Sequence, residues 1–163
     1  MPLRKIGFAL TLLAAFAAAQ QPAAQSMKTF ASSSDVAAMI AKAKAERKPD
    51  QPLFAQPILQ LAPYTASLEY RAAVGPAAVH ETEAEMFYVI EGSATLVTGG
   101  KLVNEKRTNA ANLTGTAIEG GSARPVAKGD FVIVPERTPH WFSPINGTIV
   151  LMSFHVPRPA PAH

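Results

Sequence analysis

The sequence contains no cysteine, which excludes disulfide scaffolds, thiolate metal sites and cysteine nucleophiles. Charge is sparse, at 17% of residues, and aromatics make up only 7%, with a single tryptophan. No apolar run reaches the roughly 20 residues a membrane-spanning helix needs; the run from Ile6 to Ala19 has 14. There is no GxSxG, no P-loop and no GxGxxG, so serine-hydrolase and nucleotide-binding readings lack motif support. What is present is apolar side chain: 48% of the 163 residues, enough for one domain with its own core and too much for a largely disordered chain. Fourteen prolines and ten glycines suit a sheet protein with frequent turns better than a helical bundle.

The formal net charge of +3 invites a nucleic-acid reading until the charges are located. Arg4 and Lys5 stand directly before the Ile6–Ala19 run, and small residues follow it. That is the layout of a secretory signal peptide, with cleavage after Ala19 or Ser26. The expectation is a periplasmic or secreted protein with no stable membrane span after cleavage. From residue 50 onward there are eight basic and ten acidic residues, a net of −2. The basicity therefore belongs to the export signal and to one helix end, and no nucleic-acid partner is expected.

Within the mature chain, Val36, Met39, Ile40 and Ala43 recur at helical spacing, so a short amphipathic helix is predicted from Ser34, as its N-cap, to Lys48. Lys42, Lys44, Arg47 and Lys48 close it, where positive charge complements the helix dipole. No aromatics interleave with them for base stacking. Between Leu53 and Val156 the apolar runs are short, β-branched or aromatic, and bounded by Gly, Pro or Asn. Strands are predicted at 58–61, 66–73, 77–80, 86–91, 93–98, 116–118, 124–126, 131–134, 140–143 and 148–156. Many short strands at close spacing argue for an antiparallel sandwich or barrel. Gly92-Ser93 and Gly99-Gly100 read as tight turns, Asn146-Gly147 as a hairpin, and 101–115 as one long polar loop. The organisation expected is a signal peptide over 1–26, helix and linker over 27–52, an all-β domain over 53–156 and a Pro-rich tail over 157–163.

All four histidines lie at or beyond position 80. His163 is terminal, and His155, on the face of Leu151 and Ser153 in the last strand, reads as structural or surface. His80 ends one strand, and Glu85 opens the next after a four-residue turn, so a hairpin brings imidazole and carboxylate together. His140 lies in the loop Thr138-Pro139-His140-Trp141-Phe142 behind a strand ending in Pro135. Two neutral imidazoles and one carboxylate suit a divalent cation such as Fe, Mn, Ni or Zn. Spacing alone does not join them, since His80 and His140 are 60 residues apart.

The two segments together resemble the cupin family. Its first motif is G-x5-H-x-H-x3,4-E-x6-G and its second G-x5-P-x-G-x2-H-x3-N. Here Glu85 is followed by six residues and Gly92, while Gly129, Pro135 and His140 keep the second motif's spacing. The resemblance covers about 66–156 and implies a double-stranded β-helix, the cupin jelly-roll barrel, preceded by the short α-helix. It also implies a divalent metal near the barrel mouth, held by His80, Glu85 and His140. The departures are specific. With His80 at the second histidine position, Ala78 occupies the first; with His80 at the first, Thr82 occupies the second. Arg137 replaces a motif glycine and Pro144 an asparagine. Glu81 or Glu83, from the same turn, is an additional ligand or acid–base group in this reading, or simply a solvated carboxylate.

Alternation from Glu85 puts Phe87, Val89 and Glu91 on its face, and from His140 it adds Phe142. These residues would line a pocket or pack as ordinary core. Trp141 is placed at the mouth or at a homodimer interface, and Arg71, if it enters the barrel, as a clamp for a substrate carboxylate. The functional readings are a metal-dependent enzyme of oxygenase, isomerase or lyase type acting on a small organic molecule, and a periplasmic binding or sensing module whose metal is structural or absent. A barrel kept as a dimerisation scaffold is the third.

Overall fold

The computed structural model of the chain describes residues 27–158. The expected signal peptide and residues 159–163 of the expected tail lie outside the described residues. Helix α1 spans Ser33–Glu46 and begins two residues earlier than Ser34 as cap implies. The cap is Ser32: its hydroxyl accepts from the Asp35 N–H at 3.1 Å, and the Asp35 carboxylate accepts from the Ser32 N–H at 2.8 Å. Three serines stand in a row, and the aspartate three residues after the first selects it by closing a capping box.

Eleven strands follow: β1 (Leu53–Leu61), β2 (Tyr64–Arg71), β3 (Ala77–His80), β4 (Glu83–Thr98), β5 (Lys101–Val103), β6 (Lys106–Arg107), β7 (Asn112–Gly115), β8 (Ala117–Glu119), β9 (Ser122–Ala127), β10 (Phe131–Val134) and β11 (His140–Pro157). All pairings are antiparallel. The order β1-β2-β11-β3-β7-β6 forms the main path, β4 pairs with β11, β9 and β10, and β5 pairs with β8 apart from it.

Two predicted pairs of strands are in fact two long continuous ones. β4 and β11 run along each other from Glu83–Pro157 to Thr98–His140, with register shifts between Phe142 and Ile149 and between Val150 and Leu151. The shifts are bulges, which bend a strand and increase its twist. Gly92-Ser93 is therefore a bend inside β4 and not a turn, and Asn146-Gly147 lies inside β11 with Gly147 at φ 75°. The inward parity changes at this bend: Glu85, Phe87 and Val89 are buried before it, Ala94 and Leu96 after it. Glu91, expected on the pocket face, is exposed and pairs with Lys44 of the helix at 3.6 Å.

The expected loop 101–115 also forms strands. Leu102 and Val103 pair with β8, and Leu113 pairs with Val79 of β3, partners that no local pattern reveals. The Gly99-Gly100 turn is as expected, with both residues at positive φ.

Two apolar clusters hold this frame. Inside the barrel lie Phe87, Val89, Ala94, Leu96, Val126, Val134, Phe142, Ile149 and Leu151. On the outer face of β1, β2 and β11, the helix lays Ile40 and Ala43 on Ile58, Leu68, Tyr70 and Val150. Fully burying each large apolar side chain contributes about 1.5–3 kcal/mol.

Gly92 shows how tightly the bend is built. Its φ is 78°, and a Cβ there would stand 2.0 Å from the Thr148 carbonyl oxygen, a backbone atom of the facing strand. Gly92→Ala is expected to destabilise the fold by on the order of 3 kcal/mol, from the left-handed backbone and the forced strand separation together. Denaturant unfolding measures this, and a loss within experimental error of zero would contradict the bend as described.

Candidate metal centre

β3 and β4 do not pair, so the expected hairpin does not form, but the short turn between them still brings His80 Nε2 to 3.1 Å from Glu85. The loop after β10 is fastened to this turn, because the Arg137 N–H donates to the His80 carbonyl at 2.7 Å. β11 then opens with His140 directly across from Ala78 of β3. Fifteen residues later the same strand returns His155 directly across β4 from Glu85. In β11, Leu151, Ser153 and His155 share the barrel-facing side, and Leu151 and Ser153 are fully buried. His155 is therefore not a surface residue: it completes the cluster.

Three imidazoles meet one carboxylate. His80 Nε2 lies 3.1 Å and His140 Nε2 3.0 Å from Glu85 Oε2, and His155 Nε2 lies 3.4 Å from Glu85 Oε1. Ligand atoms of His80, Glu85 and His155 all fall within 4.8 Å of one another. Glu85 and His140 are both only 4% exposed. The Ser153 hydroxyl donates to Glu85 Oε1 at 2.6 Å, so the carboxylate is held on both oxygens.

The outward nitrogens are equally ordered. His80 Nδ1 meets Asn112 Oδ1 at 2.7 Å, His155 Nδ1 meets Glu83 Oε1 at 2.7 Å, and His140 Nδ1 meets the Thr138 carbonyl at 3.3 Å. All three partners are acceptors, so each Nδ1 carries a proton and donates it. Each Nε2 faces a Glu85 oxygen, to which it donates only when it too carries a proton. A cation in that place would take the Nε2 lone pair instead, with the outer acceptor fixing the ring. The group within reach of one ion, His80, Glu85 and His155, suits a divalent cation; His140 lies outside that group, against Glu85 Oε2 at 3.0 Å.

Electrostatics agree with a site built for a cation. Burial raises the Glu85 pKa, but hydrogen bonds from His140, His80 and Ser153 outweigh it and hold the carboxyl far below the usual carboxylate range. Burial also works against charge on His80. Its bonds to Glu85 and Asn112, with the charges of Glu85 and Glu83, overcome that and lift its pKa above the ordinary value.

No protein-family model and no curated protein matches the sequence. Solved structures do. The Fe(II) form of HppE superposes with a TM-score of 0.51 at 14% identity, covering 67% of this chain and 53% of that one. The chain thus spans about half the length of that protein. A cupin superfamily protein from Desulfitobacterium hafniense gives 0.48 at 11% identity, covering 69% and 84%. A cupin 2 conserved barrel domain protein from Salinispora arenicola gives 0.46 at 19% identity, covering 69% and 82%. The chain folds as an antiparallel jelly-roll barrel. At these identities the likeness is one of fold, and the site is argued from its own geometry.

The departures from the cupin motifs now have places. Ala78, at the first histidine position, faces His140 across the ladder, and the third imidazole comes from His155 on the last strand instead. Arg137, at a motif glycine, keeps the left-handed backbone that glycine allows, with φ 61°. Among the other expected residues, Phe87 and Phe142 are buried and meet edge to face at 5.1 Å, with Phe87 5.9 Å from the His140 ring. Val89 is buried behind them.

Trp141 does not line the pocket. It lies on the face opposite His140 and Phe142, and its indole donates to the Gly75 carbonyl at 2.8 Å. Arg71 does enter the barrel, 5.0 Å over the Phe142 ring, while Tyr70 turns to the helix. As a carboxylate clamp it is already occupied: Glu69 takes its Nε at 2.8 Å and an Nη at 2.6 Å. Glu81 is held through both oxygens by Arg107, and Glu83 serves as the outer partner of His155.

The pKa directions set a pH window for the metal-free protein. Because the Glu85 pKa is depressed, its stabilisation is complete above the ordinary 4.5 and drains away as the pH falls below it. Because the His80 pKa is raised, its stabilisation is complete below the ordinary 6.5 and is lost as the pH climbs through the higher folded value. Denaturant midpoints of the metal-free protein are expected to decline on both sides of that window. Glu85→Gln is expected to flatten the acid side, and an unchanged acid limb in that variant would contradict the assignment.

Proposed function

We propose that this chain is a metal-binding cupin in which His80, Glu85, His140 and His155 hold one divalent cation beside a small organic molecule. The observation that carries the reading is the shared orientation of the three imidazoles: every Nδ1 is engaged by an outer acceptor and every Nε2 converges on Glu85. A cation there supplies Lewis acidity and open coordination positions.

The protein's own groups do the rest. Glu83, Asn112 and the Thr138 carbonyl fix the rings, and Ser153 holds the carboxylate. Phe87 and Phe142 keep the inner wall of the site apolar and poor in water, which strengthens every electrostatic interaction at the centre. Such a centre supports oxygenation, isomerisation or elimination on a small molecule, and the Fe(II) form of the structural neighbour HppE makes iron the first metal to test. Without turnover, the same pocket serves as a binding module. The proposal includes export, with the mature chain starting after Ala19 or Ser26.

Metal analysis of the natively expressed protein tests this. One divalent metal per chain is expected, with His155→Ala and His140→Ala each lowering the affinity by at least about tenfold. Glu83→Gln should lower it by about 10–100-fold through the outer contact alone. Wild-type protein without metal would overturn the reading. Full occupancy in His155→Ala would remove that residue from the ligand set.

A further inference from the structure

Arg137 stands in a conformation that is unfavourable for any residue but glycine, and its backbone role does not require arginine. The N–H that donates to the His80 carbonyl would be supplied equally by the glycine of the cupin motif. A strained position occupied by a long cationic side chain points to a task for that side chain. Arg137 lines a cavity of about 370 Å³ together with Val79, Glu81, Lys101, Leu102 and Leu113. Val79 alternates with His80 along β3, so this cavity lies on the opposite face of that strand from the imidazole cluster.

The charges around it do not cancel evenly. Glu81 is taken by Arg107 at 2.7 and 3.2 Å, and Glu105, the other acid of the wall, favours the charge of the same Arg107. Among the described residues, neither Arg137 nor Lys101 has a carboxylate within 4.0 Å. Glu81 feels the charge of Arg137 as well as Arg107, and Arg137, Lys101 and the adjacent Arg107 together outnumber Glu81 and Glu105 by one.

We propose that this cavity binds an oxyanion, the carboxylate or phosphate of a small molecule, between Arg137 and Lys101. The guanidinium offers a planar fork to two oxygens, and the ammonium adds a mobile point charge. Leu102, Leu113 and Val79 form an apolar wall beside the charged end. This site goes beyond the metal centre and does not depend on it.

Calorimetric titration of the metal-free full chain with inorganic phosphate, and separately with acetate, tests the site. Saturable binding is expected, and the tighter of the two probes tells a phosphate ester from a carboxylate. Arg137→Gly is expected to weaken binding by about tenfold or more, the loss of one charged hydrogen-bonding partner. Its melting temperature should be equal or higher, because glycine relaxes the backbone. Lys101→Gln, at an exposed position, should weaken binding as well without loss of stability. Three results would overturn the proposal: no saturable binding to wild type, wild-type affinity in both variants, or affinity lost only in His80→Gln, which would move the anion to the imidazole cluster. Since no metal is present, failure here leaves the metal reading untouched, and metal content in Arg137→Gly reports on that reading separately.

Discussion

A carboxylate that is 4% exposed in an apolar barrel is the constraint from which the rest of the site follows. An ionised carboxyl group is costly to bury unless it is surrounded by donors or cations. Glu85 is surrounded by three imidazoles and one hydroxyl, delivered by three stretches of chain. β3 delivers His80, the start of β11 delivers His140, and the end of β11 delivers His155 and Ser153. The bulges of β11 and the bend at Gly92 let one strand pair face the core at both ends. Without those register shifts His140 and His155 would not both face Glu85.

Around this centre, outer contacts convert a cluster of titratable groups into an oriented set of donors. Asn112 reaches His80 from β7, and β7 is itself fastened by pairing with β3 and by the Arg107–Glu81 contact. Glu83 reaches His155 from the first residue of β4. The small strands β6 and β7, which make no part of the apolar barrel core, therefore bear on the chemistry of His80. The Glu69–Arg71 pair is a second polar feature on the barrel-facing side, closed on itself and stacked on Phe142.

Much of this was legible in the sequence. The turn between His80 and Glu85, the strand 131–134 and the spacing from Gly129 to His140 are local features, and the structure brings those two histidines and the glutamate together. The apolar alternation of Phe87 and Val89 reads directly as burial. His155 was not legible, because alternation named its face without saying which strand would lie opposite; only the β4–β11 register puts it across from Glu85. Trp141 was misplaced for a related reason: proximity in sequence to His140 puts it on the opposite face of the strand. The helix cap shifted from Ser34 to Ser32 because the partner residue, Asp35, decides among adjacent serines. The strands within 101–115 depend on pairing with β3 and β8, which is long-range and leaves little local trace.

The central claim is that three imidazoles and Glu85 form one metal centre. X-ray absorption of the protein loaded with one equivalent of Fe(II) or Zn(II) addresses it directly, since scattering from imidazole rings counts histidine ligands. The account predicts three imidazoles and at least one oxygen in the wild type, and two imidazoles in His155→Ala. One imidazole or none in the wild type, or an unchanged count in His155→Ala, would contradict it.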